Sequence, residues 1–470
     1  MTRVHAFGDD ALGADDAVGL VRRLRAREVS AAELTDAAIA RIEAVDPVLG
    51  AMAHPAYDQA RKDAVAPSDA YFAGVPGLVK DNSDVAGLPT QHGTDAFRAT
   101  PAAADGDFAQ LYRSIGLGIL GKSQLSEFGF SAVAEHPRLG PVRNPWNPEH
   151  SAGASSSGSG ALVAAGAVPI AHANDGGGSI RIPAHANGLV GLKPSRGRVP
   201  QDRMNREMPV KIVADGVLTR SVRDTAAFLR ESEKHHRNLR LPPVGEITHP
   251  GPKRLRVAVV TSAAGRSATP EVRELTLATA RRLEGLGHRV TEVDAPVPDS
   301  FADDFLLYWS FLSLYLVRSG RWTFDRSWDS SRCDNLTLGL ARHAQRRLHR
   351  LPLAIARLQA SGAVSRRFFA SYDVVLTPTV AASTPRVGHL DPTQEYDVVL
   401  ERLLDWVCFT PLQNATGEPS LSLPLATSSD GLPQGMCFSG ARGAEAMLLE
   451  LGYELEEAFG WARIQDAAGT

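Results

Sequence analysis

Near the start of the chain, apolar residues recur at helical spacing. Leu34, Ala38 and Ile42 fall four apart and make one stripe, and Ser30-Ala-Ala-Glu33 ahead of them has the form of a capping box. In such a box the Ser oxygen and the Glu carboxylate satisfy the first free N–H groups. A helical stretch over 16–45 is predicted, stopped at Asp46-Pro47 because the residue before a proline is driven away from helical dihedrals. Further on, 255–260 (LRVAVV) predicts a buried strand. Thr269-Pro270-Glu271 then opens a helix, with Thr as N-cap, Pro in the first turn and an acid at the positive dipole end. That helix runs through Leu275, Ala278 and Leu283 to a glycine stop at Gly287, and 288–293 follows as a strand. Strand, helix, strand with short links is a crossover unit of a sheet with parallel strands. Strands are also predicted at 372–377 and 420–424, and a closing helix at 446–459. The expected fold class is α/β with a large mixed sheet.

Two stretches depart from these patterns. The segment 239–253 carries four prolines and reads as a surface connection. The segment 301–349 is rich in Trp, Phe, Tyr and Leu and reads as helices covering part of a pocket. From about 74 to 200, glycine, serine and alanine dominate. Tight turns and close backbone approaches of that kind surround sites more often than plain cores.

Composition narrows the function classes. With 50 basic and 53 acidic residues the net charge is −3, and no Lys/Arg block stands out. Nucleic acid and membrane surfaces are therefore not expected partners. The Arg-rich run 342–350 reads as a solvated helix face. Cys333, Cys408 and Cys437 are odd in number and widely spaced, which argues against a disulfide framework or zinc site and fits a reducing cytoplasm. Cys408 and Cys437 sit in apolar strings and read as packing residues. The acidic N-terminus has no signal-peptide core, and no run approaches the ~18 apolar residues of a membrane span. A soluble, cytoplasmic protein is expected.

Gly116-Leu-Gly-Ile-Leu-Gly121-Lys122-Ser123 matches the phosphate-loop pattern. That pattern needs a strand before the loop and a helix opening at the Lys-Ser. Here helical spacing (Phe108, Leu111, Tyr112, Ile115) comes first and a short apolar strand second, so a nucleotide site is not expected.

Four other pieces belong together: Gly74-Val-Pro-Gly-Leu-Val-Lys80-Asp-Asn82, Ser151-Ala-Gly-Ala-Ser155-Ser-Ser-Gly-Ser-Gly160, Asn174-Asp-Gly-Gly-Gly-Ser179-Ile-Arg-Ile-Pro183 and Gly188-Leu-Val-Gly-Leu-Lys-Pro194. Singly, each has a plain reading as linker, turn or surface lysine. Against it, the serine-rich piece runs straight into apolar 161–165, and three consecutive glycines stand between apolar segments. Such glycines carry an entropic penalty unless the chain must expose N–H groups or take unusual dihedrals.

Together the pieces resemble the amidase-signature hydrolases. In that family a serine follows Asp-x-Gly-Gly and precedes Ile-Arg-x-Pro, a second serine lies 24 residues earlier, and a lysine lies upstream in Gly-Val-Pro-x-x-x-Lys-Asp; Ser179, Ser155 and Lys80 stand at those places. Gly431-Leu-Pro433 is similar to a late turn of the family. Ala154 and Ser157 replace glycines of the serine-rich stretch, and Gly176 replaces the usual Thr while keeping its backbone donor.

The resemblance implies an α/β/α sandwich, a large twisted mixed sheet covered by helices, as one domain over 1–470. N-terminal helices would occupy 1–65, the signature core 70–235, and the second part of the sheet, with pocket-covering helices 301–350, 254–470. It implies Ser179 as nucleophile and Ser155, after a cis peptide bond, as proton relay. Lys80 would be the base, neutral because burial disfavours its charged form. The N–H groups of Gly176, Gly177, Gly178 and Ser179 would hold the oxyanion, Asp175 and Arg181 would brace the loop as an ion pair, and Ser156 would support it. No metal-ligand cluster is visible, so no metal or cofactor is expected. The motifs look most like the branch holding 6-aminohexanoate cyclic-dimer hydrolases and hydrazidase-like enzymes. Trp309, Phe311, Tyr315, Trp322 and Trp328 would then suit an apolar or aryl acyl group, core packing being the plain alternative. The expected partner is a small amide, hydrazide or ester. The amidase subunit of a glutamine-dependent tRNA amidotransferase is the rival reading, and a homodimer is suggested by the family alone.

Overall fold

The computed structural model describes residues 3–65, 69–296 and 300–466, so the remaining positions of the 1–470 span lie outside the described residues. Eleven strands make one sheet. In chain order they are β1 (Met52–Pro55), β2 (Pro76–Lys80), β3 (Gly118–Ser123), β4 (Ile170–Asp175), β5 (Val190–Lys193), β6 (Ala214–Thr219), β7 (Arg256–Val259), β8 (Arg289–Glu292), β9 (Val374–Pro378), β10 (Ser420–Thr427) and β11 (Pro433–Gly440). Their spatial order is β1-β3-β2-β4-β6-β5-β10-β11-β9-β7-β8. β2 runs parallel to β3 and β4, and β7 runs parallel to β8 and β9. The other pairings are antiparallel, so the sheet is mixed, as expected.

The predicted crossover unit is present. Thr269 caps helix Pro270–Gly285 by accepting the Val272 N–H, and the parallel pair β7–β8 flanks it. The serine-rich piece is no linker. Its helix, Ser157–Ala164, is buried along its whole length. A Cβ at Gly158 would fall 2.1 Å from the Ala51 carbonyl oxygen, so only glycine permits that approach. Ser30 and Glu33 form the capping box.

Two details correct the sequence reading. The region 16–45 is two helices, Ala17–Arg25 and Ala31–Leu49, and the second passes through Pro47. A proline in the last turn forfeits one hydrogen bond there. The chain leaves the helix at Gly50, φ +60°, while the Asp46 carboxylate accepts the N–H groups of Ala51 and Met52. Cys408, read as a packing residue, packs against the apolar cluster of Val260, Val375 and Phe409 and also lines a cavity.

The phosphate-loop pattern has the inverted order expected, helix Asp107–Ser114 and then β3. Lys122 is buried and paired with Asp81 at 2.8 Å. Arg342 and Arg346 are exposed on helix Asn335–Arg347. The pocket-covering segment consists of helix Phe301–Thr323 packed on Asn335–Arg347 and on Leu351–Ser371. Among the described residues, no helix is long and apolar enough to cross a membrane.

Candidate active site

The parallel strands β2 and β4 end side by side, and their carboxyl ends deliver Lys80, Asn174 and Asp175. Crevices at such ends are where α/β sheets bind ligands. Lys80 is fully buried, and its Nζ donates to Ser155 Oγ and to Asn174 Oδ1, each at 2.7 Å. Burial pushes the ammonium down to about 7 against the opposing pull of Asp215 and Asp175. An amine with that affinity can exchange a proton near neutral pH.

Ser155 follows a cis peptide bond from Ala154. Ser156 Oγ donates to the Ser179 carbonyl at 2.6 Å and ties the two serine segments together. The Ser179 hydroxyl itself makes no hydrogen bond among the described residues and lines two cavities.

The Ser179 loop is held from beneath. Asp175 accepts two bonds from Arg181, at 2.9 Å each, and the N–H groups of Gly178 at 2.7 Å and Ile180 at 3.1 Å. Burial alone would raise the Asp175 carboxyl, but the Arg181 guanidinium and these bonds hold it well below the usual carboxylate range. Asp175 and Arg181 thus form a buried ion pair beneath the loop. Gly178, expected among the oxyanion donors, has its N–H directed to the Asp175 carboxylate at 2.7 Å.

Several site residues were not singled out from sequence. Asn414 on helix Pro411–Thr416 donates to the Asp175 backbone and carboxylate at 2.8 Å each and accepts from Arg181 at 2.7 Å. Thr410 Oγ1 donates to the Gly177 carbonyl at 2.6 Å. Behind Lys80, the Lys80 N–H donates to His172 Nδ1 at 3.2 Å. Burial pushes that imidazole down to about 3, so it is neutral with its proton on Nε2, which donates to Asp215 Oδ1 at 3.2 Å. His172 and Asn174 alternate with Ala171 and Ala173 along β4. That period-two polar pattern was the available signal.

The two cavities meet at Ser179. One, of about 270 Å³, is lined mainly by apolar groups such as Ile182, Phe305, Leu306, Leu403 and Val407. The other, of about 540 Å³, receives Ser155, Asn174, Asn82 and His92. Of the aromatics named from sequence, Trp309, Phe311 and Tyr315 line cavities. Trp322 does not: it is 82% exposed. Trp328 packs among Phe97, Phe128 and Phe324 instead.

The sequence profile of the Amidase family matches residues 33–449. The chain belongs to the amidase family. "Putative amidase AmiC" of Mycobacterium tuberculosis (strain ATCC 25618 / H37Rv) is 63% identical over 467 residues, covering 99% of this chain and 98% of that protein. The solved 6-aminohexanoate cyclic dimer hydrolase complexed with substrate has a TM-score of 0.87 at 30% identity, covering 97% of this chain and 99% of that one. A bacterial aryl acylamidase of the amidase-signature enzymes has a TM-score of 0.84 at 27% identity, covering 96% and 97%. This family member is accordingly a hydrolase acting on amides, on the amidase-signature fold. Among its described residues, no group of three or more His, Cys, Asp or Glu side chains stands together as a metal site would require.

Proposed function

We propose that this amidase hydrolyses the C–N bond of a small carboxamide or related acyl compound, such as an aryl amide or hydrazide, through an acyl-Ser179 intermediate. The observation that carries the reading is the fully buried Lys80 amine bonded to Ser155 at 2.7 Å, beside the chamber that Ser155 shares with Ser179. In the neutral form Lys80 takes the Ser155 proton while Ser155 takes that of Ser179, and the Ser179 oxygen attacks the carbonyl carbon. The relay requires the two serine hydroxyls to close to hydrogen-bonding distance in the Michaelis complex, as catalytic contacts commonly do. The N–H groups of Gly176, Gly177 and Ser179 stabilise the oxyanion, each worth ~3 kcal/mol. When the C–N bond breaks, the proton returns through Ser155 to the leaving nitrogen. Water, deprotonated by the same relay, then attacks the ester and releases the acid, with Ser179 reprotonated.

Product release from purified protein tests this on aryl amides, an aryl hydrazide, an aryl ester, 6-aminohexanoate cyclic dimer and glutamine. Turnover of an aryl compound that Ser179→Ala lacks is the expected result. Near-wild-type rates in Ser179→Ala would sink the mechanism, and turnover of glutamine alone would favour the partner-dependent amidotransferase reading. The cyclic dimer is included because a structural relative is a hydrolase of that compound. The chelator EDTA is expected to leave the rate unchanged.

A further inference from the structure

We propose that Trp309 and Gly176 form a matched pair in which the indole divides the site into an acyl chamber and an amine chamber and so limits the size of the acyl group. The proposal rests on the acyl-Ser179 reading above. Trp309 lines both cavities and, with Phe130 and Gly129, stands at their shared wall beside Ser179. Its position is fixed from three sides. The indole N–H donates to the Phe130 carbonyl at 3.3 Å, the ring stacks on Phe305 at 6.0 Å, and it meets Phe130 edge-on at 5.5 Å. The fourth side is the Ser179 loop. A Cβ at Gly176 would lie 3.3 Å from Cη2 and Cζ3 of the indole, tighter than ordinary packing. A β-branched residue there adds two further heavy atoms, so the ring and such a side chain compete for the same space.

Chemistry assigns the chambers. The leaving nitrogen must receive its proton from Ser155, and Ser155 lines only the larger chamber. The amine therefore departs into the space of about 540 Å³, and the acyl group occupies the apolar one of about 270 Å³. Trp309 closes that apolar space on the side of the oxyanion loop.

The test is a set of anilides with acetyl, benzoyl and 2-naphthoyl groups, and of benzamides with small and large amines, on wild type, Trp309→Ala, Gly176→Thr and the double variant. Trp309→Ala is expected to raise kcat/KM for 2-naphthoyl relative to acetyl about tenfold or more, with little change across the amine series. Gly176→Thr is expected to lower kcat/KM throughout, and adding Trp309→Ala to recover part of that loss, the non-additivity of two groups in contact. An unchanged acyl-size ratio, a shift in amine preference instead, or strictly additive losses would overturn the proposal. If Trp309→Ala fails to fold, Trp309→Leu takes its place. If wild type turns over none of the panel, the aryl-amide reading fails. Calorimetric binding of 2-naphthoate and benzoate then still tests the partition, since removal of the indole must favour the larger acid, and an unchanged preference would overturn it.

Discussion

Lys80 Nζ lies 2.7 Å from Ser155 Oγ and, among the described residues, pairs with no carboxylate, whereas Lys122 on the adjacent strand pairs with Asp81 at 2.8 Å. Both are buried, and burial lowers both, but only Lys122 has an anion in contact to hold its proton. Lys80 is pushed down to about 7. Because only the neutral amine can accept from Ser155, kcat/KM is expected to rise with pH through an apparent value near 7 and then level off. Lys80→Ala should lower kcat about 10³-fold or more. A pH–rate profile with no limb in that region, or a nearly active variant, would contradict the base assignment.

The same burial has a stability consequence. The unfolded chain holds the Lys80 proton up to its ordinary value of 10.5, while the folded chain releases it at about 7. Between those values the unfolded state binds more protons, so this group's effect on stability becomes more favourable as pH rises. Below about 7 the folded state carries the whole desolvation penalty. Lys80→Met is therefore expected to raise the melting temperature, and to raise it more at about pH 6 than at about pH 9. An equal shift at both would show that the lysine is solvated in the folded protein.

What the sequence disclosed follows from range. The crossover unit and the capping box depend on residues a few places apart, and the 24-residue step from Ser155 to Ser179 is written in the chain itself. Asn414 was not legible, because it meets Asp175 across 239 positions and nothing near it in sequence records that contact. The fate of the Gly178 N–H was hidden for a different reason: a glycine run announces free donors without saying which are already used inside the loop. Trp322 and Trp309 sit in one helix, and composition could not tell the solvent-facing ring from the one on the site.

The long-range brace makes a prediction of its own. Arg181→Ala leaves the buried Asp175 carboxylate without its guanidinium, and losing one partner of a buried pair costs about 3–5 kcal/mol. Asn414→Ala removes neutral hydrogen bonds and is expected to cost about 1–3 kcal/mol. Since Asp175 fixes Gly178 and Ile180 on either side of Ser179, both variants should also lower kcat more than they raise KM. Urea unfolding read beside steady-state kinetics checks this. A variant with full stability and reduced kcat would mean that Arg181 touches the substrate.

Lys122 offers the opposite test, because its pattern announces a nucleotide and its surroundings do not. Its Nζ donates to the Pro89 carbonyl and to Thr90 Oγ1 besides pairing with Asp81, so its bonding capacity is already filled. Lys122→Met strands the Asp81 carboxylate, which is 1% exposed, and is expected to destabilise the protein by about 3–5 kcal/mol. Adding Asp81→Asn removes the stranded charge and should recover much of that loss. ATP with magnesium should leave the melting temperature of wild type unchanged, since a ligand stabilises only the folded state that it binds. A concentration-dependent rise that Lys122→Met abolishes would restore the phosphate-loop reading. Recovery in the double variant without any response to ATP would fix Lys122 as a structural cation.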